Sequence, residues 1–345
     1  MTSQQPVDIH GKPYNRSLLV GVLLIGTFCT ILNQTLLTTA LPTLMKEFDI
    51  SASSVQWLTT GFLLVNGIMI PISAWLINKF SSKKLYITAM STFLIGTIIC
   101  FVAQDFGMLL TGRLVQAAGV GVSMPLLQTI MLSIFPPEKR GAAMGTTGIV
   151  IGLAPALGPT LSGWIIDSYT WRDLFGMVIP IVVLVLILAS FLMKNVIQLS
   201  NPSIDVLSVI LSTLGFGSLL YGFSSVGDKG WGSPQVYGFL IVGAIVLCLF
   251  TYRQLHLEQP FLELRVFKSK VFTVAAILSG VTNMAMIGAE MVLPLYIQNI
   301  RGESAFHSGL MLLPGALVMG LMMPVTGRIF DKIGARRLAI TGMFI

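Results

Sequence analysis

Ten stretches of this chain, near residues 18–41, 55–77, 85–104, 107–132, 142–166, 174–193, 206–226, 235–252, 271–297 and 307–329, are almost uncharged and strongly apolar, and an eleventh begins at Leu338. A helix rises about 1.5 Å per residue, so each stretch can cross roughly 30 Å of hydrocarbon. In lipid every backbone amide must be satisfied inside the protein, and for isolated runs of this length the helix does that. Of the 345 residues, 54% are apolar and 10% charged, with a mean hydropathy of +0.85. Soluble domains carry about 25% charged residues. The chain therefore reads as an all-α polytopic integral membrane protein. A soluble enzyme is excluded, and no nucleophile–base arrangement suggests a membrane-bound one. The first run is too long for a signal-peptide core and reads as the first span.

The net charge of +7 would suit a nucleic-acid partner, but its placement argues against one. Four of the 21 lysines and arginines, Lys46, Arg172, Lys229 and Arg301, fall in loops on one side, and Arg113 alone lies inside a run. The rest fall on the other side or in the N-terminal tail. Positive residues favour the cytoplasm, which places the N-terminus inside and the chain in the cytoplasmic membrane as a multi-pass protein. Cys29, Cys100 and Cys248 all lie in apolar runs, so neither a disulfide framework nor a metal site is implied, and no cofactor motif occurs.

The chain repeats itself when residue n is set over residue n + 253. Met69-Ile-Pro71 then lies over Met322-Met-Pro324, Asn78-Lys79 over Asp331-Lys332, Lys83-Lys84 over Arg336-Arg337, and Ser51-Ala52 over Ser304-Ala305. Each copy is the end of a span, a short basic loop and the start of the next span. Repeated halves are typical of secondary transporters, whose two bundles rock about a central site.

A third feature is the run Gly141–Trp164, with glycines at 141, 145, 148, 152, 158 and 163 and prolines at 155 and 159. In water such a helix would be poor, since Gly costs about 1 and Pro about 3 kcal/mol each. In lipid, Gly lets backbones approach and Pro is tolerated. The core Gly152-Leu-Ala-Pro155-Ala-Leu-Gly158-Pro159-Thr-Leu-Ser-Gly163 resembles the antiporter motif of the fifth helix in drug/proton exporters of the major facilitator superfamily. Other segments resemble the same superfamily: Arg113-Leu-Val-Gln116-Ala-Ala-Gly119-Val-Gly121 its fourth-helix motif, and Gly327-x-x-x-Asp331-Lys332-x-Gly334-x-Arg336-Arg337 its cytoplasmic loop motif. Asn33-Gln34-Thr35-Leu-Leu-Thr-Thr-Ala-Leu-Pro42 is similar to the first-helix motif of the fourteen-span drug/proton antiporter branch, that of EmrB/QacA/LmrB-like multidrug exporters. Trp171-Arg172-Asp173 resembles that branch's loop into helix six.

This resemblance implies two pseudo-symmetric helix bundles. Residues 1–17 would be a cytoplasmic tail and 18–193 a six-helix bundle. Residues 194–270 would hold two inserted spans and a cytoplasmic linker, and 271–345 the start of a second bundle. Fourteen spans are expected, so the chain reads as truncated in its eleventh, and the second bundle as incomplete. The loop motifs would act as cytoplasmic gates, through Asn78, Lys79, Lys83 and Lys84 in the first copy and Gly327, Asp331, Lys332, Gly334, Arg336 and Arg337 in the second. Gly334 is expected at positive φ. The first copy departs from the family pattern, with Ala74, Asn78, Ser81 and Ser82 in place of Gly, Asp, Gly and Arg, so Asn78 cannot gate by an ion pair.

Two ionisable residues lie well inside spans, Arg113 and Glu290. A charge at mid-bilayer costs about 2.5–3.5 kcal/mol on insertion scales, so each needs a cavity or a partner. With Asn33, Gln34 and Gln116 they form the expected proton-coupling and substrate cavity. An amide cannot carry a proton, so Asn33 binds by hydrogen bonds, and Glu290 is the expected carrier. No GxxxxGK[ST] sequence occurs, which leaves the proton gradient as the drive. The expected function is proton-coupled efflux of amphipathic small molecules by a monomer, with protons and the lipid bilayer as its other partners. Two other functions stay open on these residues: export of an endogenous metabolite or lipid, and a non-transporting paralogue.

Overall fold

The computed structural model describes residues 7–9, 11–200, 205–258, 260 and 262–344. Their thirteen α-helices are α1 (Arg16–Leu36), α2 (Leu41–Phe48), α3 (Ala52–Lys79), α4 (Ser82–Phe101), α5 (Phe106–Ile134), α6 (Arg140–Ser168), α7 (Asp173–Gly176), α8 (Val178–Leu192), α9 (Val206–Lys229), α10 (Pro234–His256), α11 (Lys270–Asn299), α12 (Ala305–Ile333) and α13 (Ala335–Phe344). Ten helical stretches among the described residues are long and apolar enough to cross a membrane, α7 and α8 together making one of them.

The first expected span, 18–41, is divided. Helix α1 stops at Leu36 and α2 starts at Leu41. Thr38 Oγ1 donates to the Thr35 carbonyl at 2.8 Å and Thr39 Oγ1 to that of Leu36 at 3.5 Å, competing locally with the helical ladder. Pro42 then sits in the first turn of α2, where its missing N–H costs nothing. By contrast α6 runs unbroken through Pro155 and Pro159.

The repeat is carried into the backbone. Ser51 caps α3 by accepting from Ser54 N at 3.2 Å, and Ser304 caps α12 by accepting from His307 N at 3.1 Å, the same pairs at the same offset. Both helices hold a proline in their interior at matching places, Pro71 and Pro324. The turns that follow differ. Gly334 has φ 78°, as expected for the tight turn, whereas Ser81, at the matching position, has φ −62° and enters α4 in extended geometry.

One apolar core, drawn from residues 19–197, holds α1 to α8 together. Helix α5 lies at its centre, packed against α4 on one side and α3 on the other, while α1 lies against α6 and α8. Helices α9 and α10 pair with each other, and α9 lies on α3. Gly243 makes the pair close: a Cβ there would stand 2.8 Å from Leu219 N. Arg253 adds a two-pronged bond to Asp205 at 2.8 and 3.0 Å. Large apolar side chains on the far faces, among them Leu214, Ile241 and Tyr252, are exposed, as suits helices solvated by lipid.

Candidate functional site

Three of the five residues expected at the cavity meet. Arg113 sits on α5 and is fully buried, at 0% exposure. Its Nη1 donates to Asn33 Oδ1 at 2.8 Å and to Gln116 Oε1 at 3.0 Å, and its Nε donates to the Leu58 carbonyl at 3.4 Å. Gln116 Nε2 passes the chain on to Thr97 Oγ1 at 2.8 Å, and that hydroxyl donates to the Phe93 carbonyl at 2.8 Å. The guanidinium also lies 4.3 Å from the centre of the Phe62 ring, a favourable cation–π placement. The cluster thus ties α1, α3, α4 and α5 together. Among the described residues no carboxylate pairs with Arg113; neutral amides, a carbonyl and an aromatic face share its charge.

Glycines bring the helices close enough for this. A Cβ on Gly96 would stand 2.6 Å from Gln116 N, and one on Gly112 would stand 2.9 Å from Cys100 N. Sequence reasoning missed Thr97, Leu58 and Phe62. Thr97 carried a signal, being a hydroxyl inside an apolar run; a carbonyl and a ring carried none.

Asn33 Nδ2 is buried without a hydrogen-bond partner among the described residues. An unpaired buried donor of this kind costs about 1–3 kcal/mol, so the amide is held for its oxygen and leaves an N–H available. Gln34, beside it on α1, is half-buried and has no hydrogen-bond partner among the described residues. The fifth residue, Glu290, lies in α11, which packs on α12; its side chain lies outside the described residues.

The glycines and prolines of α6 divide between two neighbours. Toward α1, a Cβ on Gly158 would overlap Thr35 Oγ1 and stand 2.8 Å from Thr35 Cβ, and Thr39 Oγ1 donates to Ser162 Oγ at 2.5 Å. Toward α12, glycines let the backbones approach at several levels, with Met323 packed over Gly148 and Leu153 over Gly320. A Cβ on Gly152 would stand 2.7 Å from Gly320 Cα, one on Gly145 3.3 Å from Pro324 Cα, one on Gly309 2.6 Å from Thr160 Cα, and one on Gly327 3.1 Å from the Gly141 carbonyl oxygen. Pro159 and Gly163 are buried and Pro155 half-buried in the same helix. Gly327 therefore serves close approach to α6 as well as belonging to a loop motif.

In the first loop, Asn78 Nδ2 donates to the Ala74 carbonyl at 3.0 Å, and the Asn78 carbonyl accepts from Ser200 N at 2.9 Å. Lys79 lies 4.8 Å from the Trp75 ring centre. Lys83 N donates to Asn195 Oδ1 at 3.3 Å, while its ammonium reaches the Ser190 carbonyl. The segment after α8 is thus fastened across this loop. In the second loop Arg336 and Arg337 are exposed, and the side chains of Asp331 and Lys332 lie outside the described residues.

Ten membrane-crossing helices, a helix–loop–helix repeat and a glycine joint between two sets of helices define a secondary transporter rather than an enzyme. The chain belongs to the Major Facilitator Superfamily, whose family model matches residues 23–345, and it is a multi-pass membrane protein with that superfamily's fold. It is 57% identical over 338 residues to the "Uncharacterized MFS-type transporter YcnB" of Bacillus subtilis (strain 168), covering 98% of this chain and 72% of that one. It is 45% identical over 327 residues to the "Lincomycin resistance protein LmrB" of Listeria monocytogenes, covering 95% of this chain and 69% of that one. Among solved structures, a POT family transporter in complex with a thioalcohol-conjugated peptide matches 96% of this chain and 73% of its own at TM-score 0.65 and 17% identity, a likeness of fold. The chain is also 31% identical over 339 residues to the "Multidrug export protein EmrB" of Escherichia coli (strain K12), covering 97% of this chain and 66% of that one, and these likenesses place it with the multidrug exporter branch.

Proposed function

We propose that this chain forms the membrane machinery of a proton-coupled exporter of amphipathic small molecules, working by alternating access in the cytoplasmic membrane with its N-terminus inside. On this reading residues 18–193 form one bundle, 271–345 begin the other, and 194–270 carry an inserted helix pair. The observation that carries it is the α6–α12 joint, where Gly152 lies directly against the Gly320 backbone. Such a joint suits two bodies that must part and close again, because little has to be unlocked. LmrB, by its name a lincomycin resistance protein, supports an amphipathic drug as cargo.

Glu290 is the proposed proton carrier. Burial in an apolar cavity raises a carboxyl pKa and a nearby cation lowers it. A carboxyl that alternates between these surroundings takes up a proton outside and releases it inside, and cargo competes with the proton for the cavity. Arg113, Asn33, Gln34 and Gln116 supply donors and acceptors for the cargo, and the protein acts as a monomer. The test is pH-gradient-driven ethidium accumulation in everted vesicles carrying the full-length protein. The Glu290→Gln variant is expected to abolish accumulation at unchanged expression. Accumulation equal in both proteins would move the proton to another group.

A further inference from the structure

A groove runs over α5 between α3 and α4, at the end of these helices nearest the α3–α4 turn. It holds about 280 Å³ and is walled by Leu76 of α3, Phe80 just after it, Lys84 and Thr88 of α4, and Ala118 and Val122 of α5. No lining residue comes from α1, α6 or α12, so the groove lies on the flank of the bundle, away from the joint. Phe80, Lys84 and Thr88 are exposed along its open side.

The charge in this groove is unusual for its neighbourhood. Lys79 and Lys83 are engaged, one over the Trp75 ring and one on the Ser190 carbonyl. Lys84 has neither an ion pair nor a hydrogen bond among the described residues. The Thr88 hydroxyl, one helical turn deeper, also lacks a partner there. Thr92 spends its hydroxyl on the Thr88 carbonyl at 2.9 Å, and the rest of the wall is apolar. Such a site rejects a lipophilic cation and accepts a molecule with an anionic head and an apolar tail.

We propose that the groove binds an anionic phospholipid of the adjoining leaflet. Its phosphodiester would sit on the Lys84 ammonium, its glycerol ester level with Thr88, and one acyl chain along Leu76, Phe80, Ala118 and Val122. A zwitterionic lipid carries its own ammonium beside the phosphate and is the poorer ligand.

Native mass spectrometry of the purified full-length protein tests this with phosphatidylglycerol, phosphatidylcholine and soluble glycerol 3-phosphate offered in neutral detergent. Phosphatidylglycerol should be retained about fivefold better than phosphatidylcholine, the share of one lysine at an anionic surface, and glycerol 3-phosphate should not be retained. Lys84→Gln should remove that preference and Lys84→Arg should keep it. Lys139→Gln, which removes another exposed cation outside the groove, should leave it unchanged. Ala118→Phe should fill the groove and displace the lipid at unchanged net charge; if that variant does not fold, the lysine variants still decide. Equal retention of the two lipids, an unaltered preference in Lys84→Gln, or displacement of phosphatidylglycerol by glycerol 3-phosphate would overturn the proposal.

Discussion

Asn33 Oδ1 accepts from Arg113 Nη1 at 2.8 Å, joining α1 to α5 through a neutral amide and a buried cation. Charge-assisted hydrogen bonds of this kind contribute about 1.5–3 kcal/mol. Asn33→Ala should therefore lower stability by about 2 kcal/mol, read as a lower melting temperature in detergent. Asn33→Asp restores the acceptor with a full charge and should recover the loss. If Asn33→Ala melts like the parent protein, the bond is incidental to the bundle.

Gly158 faces Thr35 with no room for a methyl group. Overpacking of this kind costs about 1–3 kcal/mol. Gly158→Ala should destabilise the protein by that order, and Thr35→Ala in the same chain should recover part of it, since the overlapping oxygen is then gone. Strict additivity of the two changes in a double-mutant cycle would contradict the contact.

On the outer side of the proposed orientation, Glu47 accepts from the indole Nε1 of Trp171 at 2.6 Å and from Arg172 Nη1 at 3.1 Å. Trp171 is 2% exposed, so Glu47→Ala leaves a buried N–H unpaired, costing about 1–3 kcal/mol. Glu47→Gln keeps an acceptor and loses only a half-exposed ion pair, worth at most about 1 kcal/mol. Thermal melts should rank the parent above Glu47→Gln and that above Glu47→Ala. Tryptophan emission should shift in the alanine variant alone.

Asp205 lies at the start of α9, and the hydrogen bond from Arg253 holds its carboxyl below the ordinary value of 3.8. A depressed carboxyl contributes its stability above the ordinary pKa and loses it as pH falls through the lower, folded value. The melting-temperature gap between the parent protein and Asp205→Asn should then be constant from neutral pH down to about 4.5 and close only below the ordinary carboxylate range. A gap that closes near pH 6 would mean that another group is responsible.

Much of this architecture was readable because lipid leaves few choices. Uninterrupted apolar length dictated helices, so boundaries such as 206–226 for α9 fall within a few residues of Val206–Lys229. The repeat was legible at Ser51 and Ser304, whose capping role only the structure reveals, and Gly334 takes the positive φ that its place in a tight turn demanded. What the residues could not reveal is direction. The glycines of α6 announced crowding, but nothing in their spacing assigns Gly158 to Thr35 and Gly152 to Gly320. The break after Leu36 was hidden because Thr38 and Thr39 are apolar enough to pass as span. Asn33, Arg113 and Gln116 could be grouped by type, yet Thr97 and Phe62 complete the cluster only through three-dimensional packing.

The two sides of α6 are fastened by different means. Thr39 and Ser162 hydrogen-bond it on the α1 side, whereas no side-chain hydrogen bond among the described residues crosses to α12. Near one end of that second side, the hydroxyls of Thr160 and Ser308 are buried without partners among the described residues. On the proposed alternating-access reading, a joint held by packing alone forfeits mainly dispersion when it separates, and lipid tails can replace much of that. On that reading, separation beside Thr160 and Ser308 would also open two buried hydroxyls to new partners. On the proposed reading, α6 is thus a hinge leaf, screwed to one post by a hydrogen bond and resting by packing against the other.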